Sequence, residues 1–445
     1  MELTEKKNNI RLLGLLIGII IGLAFFILPF KSAIIAIGGL TAVTVILLYP
    51  EYGIYLMALV VPLVSLKYTL LLFVLTVFSF VIKLIMDKEF KLKKIPFGYS
   101  VVFFIIPLIF SAFTSFTKGE SLQKLVVYLI SFAMLFLIVN LIDSKKKLYY
   151  LILAIIIASL LVSFYGLYQY RVGAAVKESW VDKELNPDLR TRVYSTLDNP
   201  NILAEYLLMV IPLTFALFWT SKKKINMLFY LLAVGIQFLC LLLTFSRGGW
   251  IGIAFAMIIY AIFVDRRLIF LYLVAGIALL IVSPEVVMTR IATIGNTQDT
   301  STAYRFPLWM AAFDMIRDFW ITGVGLGPMA FKAIYPQYMR LGIMAVHTHN
   351  IYLQMFVETG IFGFIGFFLF IFNNIRCNLI TFVKGIDKRA KTIAIAVLSS
   401  ISGLLLHGLV EYIFFDNKII VMLWILLSIG MVGFKLEYKR LNIIE

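Results

Sequence analysis

The sequence is poor in charge, in cysteine and in histidine, and each shortage excludes a class of protein. Charged residues make up 14% of the 445-residue chain and hydrophobic ones 62%, too little polar surface to cover a soluble globule. Two cysteines, Cys240 inside an apolar run and Cys377 just beyond another in a basic stretch, exclude a disulfide framework and a thiolate metal centre. Acidic residues number 24 against 40 Lys and Arg, for a formal net charge of +16. In a soluble protein that excess would suggest nucleic acid. In a chain of mean hydropathy +0.99 it is read first as membrane topology, with no nucleic-acid partner. Neither a low-complexity tract nor an internal repeat of about 20–50 residues is present, which excludes a solenoid.

What the chain has is apolar length. A helix needs about 20 apolar residues to cross the hydrocarbon core of a bilayer. On that measure the sequence predicts spans near 11–30, 32–49, 52–66, 68–86, 98–115, 123–142, 147–170, 200–219, 225–243, 248–264, 267–283, 351–376, 391–411 and 417–435. The fold class is therefore an all-α polytopic transmembrane bundle of about 12–14 spans, with residues 1–445 forming one integral membrane domain. Lys6, Lys7 and Arg11 precede the first run as in a signal peptide, but no small-residue cleavage site follows, so it is read as a retained first helix.

Placing the N-terminus inside puts 24 of the 40 basic residues in short cytoplasmic segments and six in short external ones, the asymmetry of the positive-inside rule. Both termini are then cytoplasmic. Two long loops, 171–199 and 284–349, face outward and carry most of the remaining polar residues, so function is expected on the outer face. Within the second, Leu308, Ala312 and Met315 recur at helical spacing beside Trp309, Phe313 and Ile316, while Arg305, Asp314, Arg317 and Asp318 take other positions. This is the pattern of an amphipathic helix lying on the membrane or the bundle.

Four constellations carry chemistry. In RTRVYSTLDNPN, Asn199 and Pro200 have the grammar of a helix start, and Arg190 and Arg192 just upstream could form an anion site beside it or, as ordinary interfacial arginines, meet the phosphates of membrane lipids. In FSRGGW, Ser246 can cap the next helix, and Gly248 and Gly249 would let a phosphate reach Arg247 together with free backbone N–H groups. The glycines of ITGVGLGPMAF, at 323, 325 and 327, have the wrong spacing for a nucleotide fingerprint and predict a tight turn between surface helices. In HTHN, His347 and His349 meet no cysteine or carboxylate cluster in sequence, and a spacing of two would put them on opposite sides of a helix, so no metal is expected. A neutral imidazole suits a general base, and Asn350 could hold the ring, bind a sugar hydroxyl or cap the helix that follows. His407, near Glu411, reads as a packed intramembrane polar residue.

Taken in order, Arg192 with DNPN, SRGG, Arg305 with its LW pair, GVGLG and HTHNIYLQMFVETGIFG resemble the O-antigen ligase and polymerase superfamily of bacterial membrane glycosyltransferases over residues 190–372. The resemblance implies a bundle related to C-type glycosyltransferases in the cytoplasmic membrane, an undecaprenyl-pyrophosphate-linked glycan as donor, and a hydroxyl on a glycan, lipid or protein as acceptor. It implies neither a metal nor a nucleotide sugar. It assigns pyrophosphate binding to Arg192, Arg247 and Arg305 and the essential histidine to His349, with His347 as its partner. A polymerase joining lipid-linked repeats is the alternative within the family, and a transporter of an anionic solute the alternative outside it.

Overall fold

The computed structural model describes residues 29–173, 180, 189, 191–295 and 303–440. Among these the protein is all-α, with no strand. In chain order the helices are α1 (Phe30–Leu48), α2 (Pro50–Val60), α3 (Leu66–Met86), α4 (Gly98–Thr114), α5 (Lys118–Leu141), α6 (Lys145–Val172), α7 (Pro200–Thr220) and α8 (Lys224–Leu243). There follow α9 (Arg247–Val264), α10 (Arg267–Val282), α11 (Glu285–Ala292), α12 (Arg305–Asp318), α13 (Pro328–Ile334), α14 (Ile351–Lys384), α15 (Lys388–His407) and α16 (Asn417–Arg440).

Ten described helices are long and apolar enough to cross a membrane, and α10 with α11, bent by 117°, makes an eleventh if counted as one span. The expected span 11–30 lies almost wholly outside the described residues, and α4, with 17 residues, is slightly short. The expected span 52–66 is an 11-residue helix, α2, about 16 Å long. It ends where Pro62 removes an N–H, and the chain continues in an irregular turn. At its start Glu51 pairs with Lys147 at 3.1 Å; beyond its end the Pro62 carbonyl accepts a hydrogen bond of 2.6 Å from Thr196 Oγ1. The expected span ending at 376 continues as helix to Lys384, so Cys377 is fully buried on α14 rather than lying in a loop.

Side chains of α7 and α16 are almost entirely buried, whereas α1, α3, α8 and α10 present most of theirs outward, the distribution expected when two central helices are ringed by others that face lipid. Small residues let the centre close up: a Cβ on Gly252 would stand 3.0 Å from Gly403 O, and one on Gly403 would stand 2.7 Å from Gly252 O, so α9 and α15 cross backbone to backbone. Between α5, α14 and α16, Phe132 packs edge-on and Phe370 tilted against Trp424, with centroids 4.1 and 4.5 Å from the indole.

The basic segments gather at one end. Lys145 reaches Glu437 at 2.5 Å and Asp387 at 3.0 Å, Lys93 Nζ donates to Asn140 O at 3.1 Å, and Lys435 donates to Val139 O. At the other end the loop before α7 is drawn inward. Gln169 accepts from Ser195 N at 2.7 Å, and Ser195 Oγ donates to Val162 O at 2.6 Å. Val162 is ten residues short of the end of α6, so this loop sits about 15 Å below the helix end, within the envelope of the bundle.

The longest helix is broken at Gly360, where φ is 65° and ψ is −170°. A break inside a bundle leaves polar backbone groups without helical partners, each costing about 1–3 kcal/mol if unpaired. Here they are paired. Ile361 N donates to Trp320 O at 2.8 Å, Val357 O accepts from Val324 N at 2.8 Å, and Glu358 O accepts from Gly325 N at 3.2 Å and Ser111 Oγ at 2.6 Å. The glycine-rich segment is thus a backbone strap along the broken helix, not a turn between surface helices. Its three glycines all have positive φ, and a side chain at Gly323 would overlap the Glu358 carbonyl. The amphipathic helix α12 is present as its pattern predicts. Leu308, Ala311, Ala312 and Met315 bury against Phe331 of α13 and Val357 of α14.

Gly342 has almost the same φ as Gly323, 67° against 66°, but open space around it. Gly342→Ala should therefore cost about 1 kcal/mol of backbone strain, and Gly323→Ala about 3 kcal/mol or more because overlap is added. Thermal unfolding of the purified proteins in detergent measures the difference; equal shifts would show that the strap's close approach contributes nothing.

Candidate active site

The motifs converge where α7, α9, α14 and α16 begin and α8 and α15 end. Each start is capped by its own sequence. Asn199 Oδ1 accepts from Asn201 N at 2.8 Å, Ser246 Oγ from Gly249 N at 3.4 Å, and Asn350 Oδ1 from Tyr352 N and Leu353 N at 2.9 and 3.0 Å. Four non-glycine residues here hold positive φ: Ser195, Asp198, Phe245 and His349. Such strain persists only where the surroundings over-determine it, and it concentrates at functional sites.

At the centre His349 Nδ1 lies 2.9 Å from Glu411 Oε1, with the carboxylate buried and the ring partly open. Glu411 Oε2 accepts from Asn201 Nδ2 at 2.8 Å. Asn201 in turn accepts from Arg192 Nη2 at 3.2 Å, so the first external motif is tied to the histidine through one asparagine. Burial pushes the Glu411 carboxyl up, but His349, His347 and Arg305 together hold it well below the ordinary carboxylate range. An ionised Glu411 fixes the proton of a neutral His349 on Nδ1 and leaves the Nε2 lone pair as the basic site.

His347 is built differently. It is buried, its ring 4.0 Å from that of His349 and 4.8 Å from Phe415, and its Nδ1 accepts from His349 N at 3.1 Å. Burial, then the neighbouring His349, lower its pKa to about 3. It is a neutral wedge that sets the His349 backbone. Neither histidine lies in a helix, so they are adjacent rather than on opposite sides, and Glu411 joins them. The ligating atoms of His347, His349 and Glu411 lie within 4.8 Å of one another, so a carboxylate does complete the pair that looked bare in sequence. That group could hold a metal, although His349 and Glu411 already bond each other and His347 Nδ1 already accepts an N–H.

Around this centre stand the arginines. Arg305, at the start of α12, has its guanidinium carbon 5.8 Å from the Tyr304 ring centroid; Tyr304 packs edge-on to His349 at 5.4 Å. Trp309, a turn along, donates to Thr348 O at 3.0 Å. Arg192 is buried and donates to Thr244 O at 2.9 Å and Trp180 O at 2.6 Å. Burial and the nearby Arg290 and Arg247 bring its pKa down to about 9. Arg247 is half-buried and donates to Thr293 O at 2.7 Å. Arg190 lies outside the described residues.

Two expectations need correcting. Gly248 and Gly249 do not open a phosphate path: a Cβ on Gly248 would meet His407 Nδ1 at 2.5 Å and one on Gly249 would meet Ala204 at 2.7 Å, so the glycines seat α9 against α15 and α7. Asn350 has its oxygen in the helix cap and its amide on Leu409 O at 3.0 Å, so both ends serve the protein. His407 packs as its sequence suggests, buried 3.6 Å from Glu205.

Sequence reasoning missed Glu411, Arg290 and Lys124. Lys124 of α5 donates to Phe414 O and Asn417 Oδ1, both at 2.8 Å, and to Phe415 O at 3.3 Å, which pins the turn that carries Glu411. A lysine at the head of the apolar run that continues to Leu141 was the available signal.

Residues 232–368 match a family model described as O-antigen ligase. That stretch holds Arg247, Arg290, Arg305, His347 and His349, and the resemblance of the sequence to that superfamily is borne out. A protein of Haemophilus influenzae, described as uncharacterized, is 26% identical over 175 residues, or 35% of this chain and 44% of that protein. The chain thus spans less than half the length of this relative.

The depressed pKa of His347 has a sign that can be checked. The folded state binds fewer protons than the unfolded one between the ordinary histidine pKa of about 6.5 and about 3, so stability falls as pH drops through that window. With three histidines in the chain, histidine-selective isotope labelling gives three ring signals. One should stay neutral from about pH 8 to pH 5 and vanish in His347→Gln; three titrating signals would refute the wedge.

Proposed function

On the premise that this chain belongs to the O-antigen ligase superfamily, we propose that it is a membrane glycosyltransferase moving a glycan from an undecaprenyl-pyrophosphate carrier to an acceptor hydroxyl. The reaction takes place on the outer face of the cytoplasmic membrane, with both termini inside. The observation that carries this reading is the 2.9 Å contact between His349 and a buried Glu411, beside arginines and recessed in the bundle.

In this reading the acceptor O–H gives its proton to His349 Nε2, while Glu411 stabilises the imidazolium that forms. The acceptor oxygen attacks the anomeric carbon, the bond from that carbon to the pyrophosphate oxygen breaks, and its electron pair leaves with the lipid pyrophosphate. Direct displacement inverts configuration. Arg247, Arg305 and Arg192, with Arg190, receive the negative charge that grows on the departing group, so no metal is required. His347 orients His349, and Asn350 holds the turn that bears Glu411. Whether the acceptor is a lipid core, a protein or another lipid-linked glycan separates a ligase from a polymerase. The products of the reaction decide that.

The test is in vitro transfer from a defined undecaprenyl-pyrophosphate glycan. His349→Ala should reduce transfer by about 10²–10⁴-fold with donor binding retained, and Glu411→Gln by about 10- to 1000-fold. Arg247→Ala and Arg305→Ala should each reduce turnover by about 10- to 1000-fold in folded protein. EDTA should have no effect. Undiminished transfer by His349→Ala would remove it as the base, and EDTA inhibition reversed by a divalent ion would reassign the His347, His349 and Glu411 cluster to a metal. Donor binding without any transfer would favour a transporter.

A further inference from the structure

The turn that carries the two histidines is fixed at the residue between them. Thr348 is fully buried, and each of its polar atoms is bonded. Its hydroxyl donates to Asn350 O at 2.8 Å, its carbonyl accepts from Trp309 at 3.0 Å, and its N–H donates to Gln354 Oε1 at 2.8 Å. Gln354 closes the first turn of α14, and its side chain reaches back across the helix start. Its amide nitrogen donates in turn to Glu358 Oε1 at 2.8 Å, one helical turn further on. With Glu358 as the acceptor, the amide stands in one sense, nitrogen toward Glu358 and oxygen toward Thr348.

The main-chain carbonyl of Glu358 serves the strap at the helix break, but its side chain has no part in that contact. The carboxyl is fully buried, and Lys124, the cation whose field reaches it, is committed to Phe414 O, Phe415 O and Asn417. A carboxyl buried in this way is unfavourable, so stability alone would place an apolar residue or an amide there. Beside it stands Tyr412, whose N–H donates to Glu411 Oε1 at 3.1 Å and whose ring lies 5.7 Å from that of His347. Glu358 thus backs both halves of the His349–Glu411 pair. We propose that Glu358 is a positioning residue for His349: through Gln354 it fixes the Thr348 N–H, and with it the peptide that joins the two histidines. Without that acceptor the buried amide must turn to another partner and release Thr348. The peptide ahead of His349 is then free to relax, and the φ of 49° at His349, disfavoured outside glycine, no longer aims the ring. The consequence for catalysis rests on the transfer reading, in which His349 takes the acceptor proton; the consequence for the ring does not.

The experiment compares Glu358→Leu, Gln354→Met and Glu358→Gln with the unaltered full chain in phosphatidylcholine nanodiscs, by steady-state transfer and by the ring signals of isotope-labelled histidine. The Leu and Met variants each break the link at one end, whereas Glu358→Gln keeps an acceptor for Gln354. Glu358→Leu and Gln354→Met should each lower kcat by about 10- to 100-fold with the donor KM changed by about threefold or less. Both should also move the His349 signal, which is assigned by its loss in His349→Gln. Glu358→Gln should keep kcat within about threefold and leave the signal in place. Thermal unfolding is read alongside: a structural role would lower the unfolding temperature and leave kcat per folded molecule unaltered, and that result overturns the inference. A loss of kcat in Glu358→Gln as deep as in Glu358→Leu overturns it too, because the charge and not the acceptor would then be acting. Should Glu358→Leu fail to fold, Gln354→Met severs the same link and decides. Hydrogen exchange of the unaltered chain needs no variant: the Thr348 amide should be protected, and free exchange there would show that Gln354 does not hold it. An unaltered chain that transfers no glycan overturns the transfer reading; the His349 signal then decides the role of Glu358, and an unmoved signal in Glu358→Leu overturns it.

Discussion

In the hydrocarbon core of a bilayer no water is present to satisfy a peptide group, so a chain can leave the helical state only where other protein atoms take up every N–H and C=O it releases. This constraint organises the molecule. The break at Gly360 exists because the segment from Trp320 to Gly325 lies beside it and exchanges hydrogen bonds with Val357, Glu358 and Ile361. The strap approaches at backbone distance, so at Gly323 and Gly325, where φ is positive, it can carry no side chain. Its glycines are therefore structural, and the resemblance of GVGLG to a nucleotide loop is a coincidence of composition. The same strap fixes the first turns of α14, and with them His347, His349 and Asn350 just ahead.

Electrostatics supply the second constraint. Burying a carboxylate is unfavourable unless it is paired and hydrogen-bonded, and Glu411 is both, held by His349, Asn201 and the Tyr412 N–H. Arg192 is buried as well, and its guanidinium is occupied by two carbonyls and an amide. The two ends of this chain of contacts, Arg192 and His349, come from loops more than 150 residues apart in sequence. Asn201 is the joint. The second asparagine of the DNPN motif faces the arginine with its oxygen and the glutamate with its amide, a division of labour that neither aspartate nor an apolar residue could reproduce.

The parts of this arrangement that were legible in the sequence are those set by local rules. Apolar length located α3 to α10 and α14 to α16 to within a few residues at most ends, amphipathic spacing located α12, and cap grammar placed the starts of α7, α9 and α14. Histidines at a loop–helix junction marked the centre. Residues whose meaning comes from a distant partner were not legible. Glu411 looks like one more acid at a helix end until the fold sets it against His349. Arg290 sits in a short amphipathic segment where an arginine is unremarkable on composition. Gly248 reads as an opening for phosphate, since nothing local reveals that His407 occupies that space. The failure at α2 has another origin: a span was inferred from apolar length alone, whereas Pro62 shortens the helix and leaves an irregular turn to complete the passage.

Strain links these layers. His349 carries a φ of 49° and Phe245 a φ of 51°, and each stands one or two residues from a helix start in a motif that also carries a charged or titratable group. A residue in that conformation directs the chain sharply into the following helix, so the side chains before the cap project toward the site instead of along the bundle wall. The left-handed region disfavours non-glycine residues, but glycine at 349 would supply no imidazole. The position therefore keeps a strained histidine, and its neighbours hold it: His347 accepts its N–H, Glu411 its ring, and Asn350 caps the helix immediately beyond. The contacts that relieve the strain are the same ones that aim the imidazole, so weakening the support would disorient the ring before it unfolded the bundle.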